Sequence, residues 1–346
     1  MLYGSMPGQF LTHSQQARLL IARGMRSKSG LTTRQLHDVI CERLHHISYS
    51  RLSQYWNRLY CPQIGTGSRI FAPGTYWEDV VDLYMFDRRL RNLFFDAIAR
   101  IEISLRAAIG YRWAKVTQNP YAHSRACFCG LSRGYSSKSA KRGKGRQSAY
   151  DYMMNKADEV FASAKKQGSV AGRRALYADV SSMPVWEFID FCTFGPLSIL
   201  LADGLIHAVK LAVAHTFGFA DVQEFTSVIS LLHSVRNECA HQGRIWNREW
   251  KTLKGNPSVK AAHRTEWRLV WDAGRREWVC GQGNALVSDT KKTAVALTYC
   301  CLLLQKIAPN SGWKERCRPF LSDEKNQAYI KELGFHPQWE SHPFWR

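Results

Sequence analysis

The side chains best suited to chemistry cluster in Arg236-Asn237-Glu238-Cys239-Ala240-His241. Cleaving a ribose phosphodiester without a metal needs a group to move a proton off the 2′-OH, another to stabilise the phosphorane, and a donor for the leaving 5′ oxygen. Histidine titrates near neutral pH and suits proton transfer. Arginine offers fixed, always-charged donors to a phosphate. An asparagine amide can orient the histidine or the phosphate. His233, Asn237 and His241 stand at i, i+4 and i+8, so a helix would align them on one stripe beside Arg236. Arg244, Asn247 and Arg248 follow closely, as candidate substrate contacts, and Gly243 allows the helix to end. The Arg-to-His spacing alone is common on surface helices and does not by itself define a site.

The helix that carries this stripe is expected over 221–241, with Phe225, Val228, Leu232, Val235 and Cys239 facing a core. A longer helix is expected over 80–113. Leu83, Phe86, Leu90, Phe94, Ala97, Ile98, Ile101, Leu105 and Ile109 recur at helical spacing there, and Asp96/Arg100 and Glu102/Arg106 form acid-before-base pairs. Further helices are expected over 150–166, 184–202 (interrupted at Gly195-Pro196), 208–217 and 290–307, and an N-terminal one is capped by Thr32 or Thr33. Trp267, Leu269, Val270 and Trp271, then Gly274, then Glu277, Trp278 and Val279 can pair as a small hairpin. No β-α alternation or internal repeat is present. The fold class is therefore all-α, a helical bundle with an N-terminal helical extension and a small β-hairpin insertion. The expected organisation is an N-terminal helical region over 1–75, a core over 76–310 and a C-terminal segment over 311–346 packing on that core. Within the core lie a basic loop at 129–147 and the hairpin at 266–287.

The charge pattern points to a polyanion. The 346 residues carry 48 Lys and Arg against 28 Asp and Glu, a net charge of +20. No acidic residue precedes Asp38, and a second acid-free stretch runs from Ile103 to Tyr150. Its loop holds Arg133, Lys138, Lys141, Arg142, Lys144 and Arg146, candidate contacts to an RNA backbone. No long amphipathic basic helix suits a membrane surface, and the longest apolar run, 293–304, is too short to span a bilayer. Met1 to Met25 has no secretory h-region, so the ten cysteines are expected reduced, in the cytoplasm. His123, Cys127 and Cys129 lack the paired spacing of a zinc site, and no metal or cofactor is expected. Serine-hydrolase order, a phosphate-binding Gly-rich loop with Lys and a helix-turn-helix are not found.

Residues 231–241, continuing through Arg244-Ile245-Trp246-Asn247-Arg248, closely resemble the signature of the Abi-like family. These are AbiD/AbiF-type proteins of bacterial abortive infection, a branch of the HEPN superfamily. Further boxes follow in the same order as in that family: Ser48 to Ser53, Leu83 to Arg91 with Ile98 to Glu102, Leu105 and Arg106, Pro184-Val185-Trp186 with Phe194 to Ser198, and Gly334 to Trp339 with Pro343-Phe344-Trp345. The resemblance implies an all-helical HEPN core and an R-x4-6-H ribonuclease motif realised as Arg236 and His241, with Asn237 the typical polar residue after the Arg. It also implies a role in phage defence, and a homodimer whose two-fold axis joins two such motifs into one composite site.

Two functions follow. One is a metal-independent endoribonuclease toxin leaving 2′,3′-cyclic phosphate and 5′-OH ends. The other is a non-catalytic protein that holds a structured non-coding RNA. A protein-interaction regulator with a merely basic surface is a third class, and it would have no affinity for RNA.

Overall fold

A computed structural model describes residues 10–62, 69–129, 134–135, 147–281 and 286–346. The basic positions Arg133, Lys138, Lys141, Arg142, Lys144 and Arg146 lie outside the described residues. Two compact units emerge, Met1–Arg91 and Asn92–Arg346. The structure is mainly helical, with thirteen α-helices and two short strand pairs among the described residues.

The first unit contains α1 (His13–Ala22), α2 (Thr33–His46), α3 (Tyr49–Trp56) and the opening turns of α4 (Trp77–Thr117). Thr12 and Thr32 each accept from the backbone N–H three residues on, while Gln15 and Gln35 reach back, giving two capping boxes. Leu20, Leu36, Ile40, Leu44, Leu52, Trp56 and Leu83 are buried in this unit. A buried ion pair joins Asp87 to Arg91, and Tyr55 donates its hydroxyl to Asp87 at 2.7 Å. Breaking such a pair from one side would strand a charge away from water.

The second unit holds the rest of α4, then α5 (Ala149–Lys166), α6 (Val185–Phe188), α7 (Phe194–Ile199), α8 (His207–Thr216) and α9 (Val222–Ala240). After these come α10 (Ala262–Glu266), α11 (Thr293–Ile307), α12 (Trp313–Ser322) and α13 (Gln327–Leu333). The apolar stripe expected of α4 is buried from Phe94 to Ile109, with Leu90 at the end of the first unit. Its Asp96–Arg100 pair closes at 3.0 Å. The expected break in 184–202 falls at Cys192-Thr193, and Gly195-Pro196 belong to the first turn of α7. Proline is tolerated there because a first-turn N–H has no helical acceptor to lose.

β1 (Gly134–Tyr135) pairs antiparallel with β2 (Gln147–Ser148). The hairpin is formed by β3 (Leu269–Asp272) and β4 (Glu277–Cys280), with Trp271 directly opposite Trp278. Helix α11 is buried almost throughout and forms the centre of the unit with α9. At the C-terminal end, Trp345 meets Phe335, Trp339 and Phe344 edge to face, and Phe335 and Trp339 lie tilted against each other. No helix of the described residues is long and apolar enough to cross a membrane.

Candidate functional site

Helix α9 begins where Asp221 accepts from the Gln223 N–H at 2.8 Å. Phe225, Val228, Leu232, Val235 and Cys239 are all buried on its core face, as their spacing predicts. The opposite stripe is split by the structure. Asn237 Nδ2 lies 2.9 Å from His233 Nε2, and Asn237 Oδ1 lies 3.4 Å from Arg236 Nη1. His241 does not join them. It is the C-cap residue with an exposed side chain, and only its backbone N–H returns to the carbonyls of Asn237 and Cys239.

The end of α9 is a Schellman turn. Gln242 N–H donates to the Cys239 carbonyl and Gly243 N–H to the Glu238 carbonyl, at 3.0 and 2.8 Å. The left-handed position is Gln242, with φ +56°, so the conformational freedom expected of Gly243 is not what ends the helix. Gly243 instead leaves room: a Cβ there would lie 2.0 Å from Glu238 Oε1. Glu238 folds back over the turn and binds Arg248 at 2.7 Å, while the Arg248 guanidinium lies 5.1 Å from the Trp250 ring centre. Asn247 also adopts a left-handed backbone, φ +48°. Its amide donates to Glu332 of α13 at 2.7 Å and accepts from Lys292 at 3.1 Å, so it ties the loop after α9 to α13 and to the start of α11. Arg244 is half-buried in the same loop.

His233 owes its position to α7. Phe194 meets the imidazole edge to face, with ring centres 5.8 Å apart, and a Cβ on Gly195 would come within 3.3 Å of Nε2. The start of α7 is held in turn by α4, where Arg106, paired with Glu102, donates to the Cys192 carbonyl at 2.9 Å. Burial first, then the charges of Arg236 and Lys251, hold His233 below the ordinary imidazole pKa. Its surroundings therefore favour the neutral form of the ring. His233 was visible in the stripe, but the supporting residues Phe194, Gly195, Glu102 and Arg106 were not. A helical period names a residue's own face and says nothing of which distant segment packs on it.

His123 stacks on Phe188 and faces the Val180 carbonyl at 3.3 Å, and Cys127 is exposed beside Asn119. No group of three His, Cys, Asp or Glu able to hold a metal occurs among the described residues.

An Arg-Asn-His cluster supported by a crossing helix turn, at the C-terminal end of a core helix, defines a mainly all-α protein with a polar helix-end site. The sequence profile of the Abi-like protein family matches residues 42–247, more than half of the chain and inclusive of α4, α7 and α9. The chain belongs to this family, the proteins of abortive infection. No curated protein and no solved structure matches it.

Proposed function

We propose that this Abi-like chain is a HEPN-type, metal-independent endoribonuclease toxin of phage defence, cutting RNA to leave 2′,3′-cyclic phosphate and 5′-OH ends. The observation that carries the reading is the placement of Arg236 beside an amide already oriented by His233, with His241 at the solvent-exposed end of the same helix. Arg236 would hold the scissile phosphate and stabilise its extra charge in the transition state. His241 would transfer protons to and from the ribose and leaving oxygens. Asn237 orients Arg236 rather than His241, a role refined from the sequence reading. Arg244, Asn247 and Arg248 flank the strand path, Arg248 as the cation nearest the motif's own carboxylate.

One His241 cannot occupy the acid and base positions on opposite sides of a phosphodiester at once. A homodimer with two-fold symmetry would supply the second imidazole, with the phosphate between two Arg236 side chains. The His241 side chain is exposed at the end of α9, where a second copy or a substrate can reach it. The same exposure suits the second reading, a non-catalytic holder of structured RNA.

Purified wild type and His241→Ala, each incubated with total RNA, separate these readings when the RNA ends are sequenced. Cyclic-phosphate ends that appear with wild type alone support the nuclease. Equal RNA retention without new ends in either protein supports the holder. Cleavage that persists in His241→Ala overturns the assignment.

A further inference from the structure

At the opposite end of α9 from the motif lies a cleft of about 840 Å³ between the β3–β4 hairpin and the segment 254–257. The rise of a helix places its Gln223 rim about 20 Å along the axis from Arg236. Its lining joins three kinds of group: the cations Lys254, Arg275 and Arg276, the indole of Trp271, and the amides of Gln223 and Asn256. No carboxylate lines it among the described residues. All of these residues except Gln223 lie beyond the family match at residue 247.

The cleft is built from behind. Arg264, 3% exposed, binds Asp221 at 2.5 Å, pairs with Glu224, and donates to the carbonyls of Asn256 and Val259 at 3.0 and 2.9 Å. Asp221 also accepts from the Asn256 N–H at 2.6 Å. Ser227 Oγ donates to the Lys254 carbonyl at 3.1 Å and accepts from the Lys254 N–H at 3.2 Å, fixing the other end of the wall to α9. Gly255 permits this approach, since a Cβ there would lie 2.6 Å from Trp278 Nε1 and 2.9 Å from both Arg264 Nη2 and Asp221 Oδ2. On the facing side, Asp272 Oδ1 accepts from the Gly274 and Arg275 N–H groups and shapes the hairpin loop that presents the arginines. Trp271 is fixed by its cross-strand partner Trp278, ring centres 5.4 Å apart.

A preorganised wall matters because ordering flexible cations consumes much of what they gain from an anion. The side chains of Lys254 and Arg276 have no carboxylate partner among the described residues, so their charges are available. An aromatic face beside unpaired cations and amides matches the parts of one ligand class: a planar base for the indole, a phosphate for the cations, and base-edge groups for the amides.

We propose that this cleft binds a nucleoside phosphate, as a free nucleotide or as an unpaired residue of an RNA strand. The site is separate from the proposed cleavage centre and does not depend on it.

The test uses the full chain and three probes: ADP, a fluorescent 2′-O-methyl uridine decamer that offers no 2′-OH for cleavage, and inorganic tripolyphosphate. Affinities are measured by anisotropy or calorimetry for wild type, Trp271→Ala, Trp271→Phe and the Arg275→Ala/Arg276→Ala double variant, each verified as folded by circular dichroism and thermal melting. Loss of one stacked base predicts about tenfold or more weaker binding in Trp271→Ala, restored in large part by Trp271→Phe. The double variant should bind more weakly and with a shallower salt dependence. ADP binding with this pattern assigns a free nucleotide, and decamer binding alone with this pattern assigns a strand. Either supports the proposal. Tripolyphosphate binding with no effect of Trp271→Ala on any probe reduces the cleft to an anion patch and overturns it. So does the absence of ADP and decamer binding, or affinity unchanged in both Trp271→Ala and the double variant.

Discussion

Asn237 bridges Arg236 and His233 through the two ends of one amide. An amide nitrogen only donates, so His233 Nε2 accepts and the ring proton sits on Nδ1. The carbonyl end turns to the guanidinium, so each contact fixes the amide orientation the other needs. Replacing Asn237 by Asp puts a carboxylate between cation and imidazole and reverses the electrostatics at His233. A nearby opposite charge favours the protonated ring, and its pKa should rise by about one unit or more. Imidazole resonances followed by NMR through a pH titration measure this. An unmoved His233 titration would mean that the bridge does not exist in solution.

Much of the fold was legible in the sequence because burial leaves a period. The apolar stripes of α4 and α9 occupy the core as their spacing requires, and the hairpin follows its Trp-rich alternation around Gly274. The site was legible only along one helix. The i, i+4, i+8 rule aligned His233, Asn237 and His241 and the helix ends at His241 as read, yet the rule could not foresee that the hydrogen-bonded cluster joins His233, Asn237 and Arg236 and leaves the exposed C-cap His241 out of it. Nor could it show that Glu224, an acid within an apolar segment, is 1% exposed. It is held there by His263, Arg264 and Tyr299, which come from α10 and α11. Long-range packing decides such partners, and a local pattern carries no record of it.

Gly195 tests whether His233 matters for more than stability. A methyl at this position would meet Nε2 at 3.3 Å and push the ring off Asn237. Crowding of this kind costs about 1–3 kcal/mol, while Gly→Ala in a helix returns up to about 1 kcal/mol. Gly195→Ala should therefore unfold at only slightly lower urea, yet alter the His233 titration and reduce the proposed RNA cleavage by about tenfold. Urea melts, NMR and cleavage rates on one preparation provide the comparison. Activity that merely tracks the folded fraction would assign Gly195 a packing role alone.

The turn after α9 gives opposite predictions for neighbouring positions. Gln242 holds a left-handed backbone that costs a side-chain-bearing residue about 1 kcal/mol, so Gln242→Gly should stabilise the protein by about that much. Gly243→Ala should do the reverse by displacing Glu238 and loosening its pair with Arg248. That pair is partly exposed, so its loss contributes less than about 1 kcal/mol. Equilibrium denaturation of both variants checks the signs. Stabilisation by Gly243→Ala would show that the Glu238 side chain does not fill that space.

Arg264 is the residue whose loss should be felt most widely. It neutralises Asp221 and Glu224, both nearly inaccessible, and lies 4.3 Å from the Trp278 ring centre. Arg264→Met keeps the bulk but leaves two carboxylates without their cation, at a cost of about 3 kcal/mol or more. Burial alone would raise the Glu224 pKa. The hydrogen bond and charge of His263, the Tyr299 hydroxyl and the Arg264 charge outweigh burial and hold it below 4.5. The sign follows: wherever Glu224 is ionised in the fold but protonated in the unfolded chain, the unfolded chain binds more protons. Its stabilisation is present above about pH 4.5 and is lost as pH falls toward the depressed native value. His233 and His123, both pushed below 6.5 first by burial, add an earlier loss that begins as pH falls past about 6.5. Urea midpoints measured from pH 8 to pH 4 should decline in both windows for wild type. In Arg264→Met the lower window should become shallower, because Glu224 has lost one of the contacts that depress it. An unchanged lower window with full wild-type stability would show that Arg264 does not neutralise this pair.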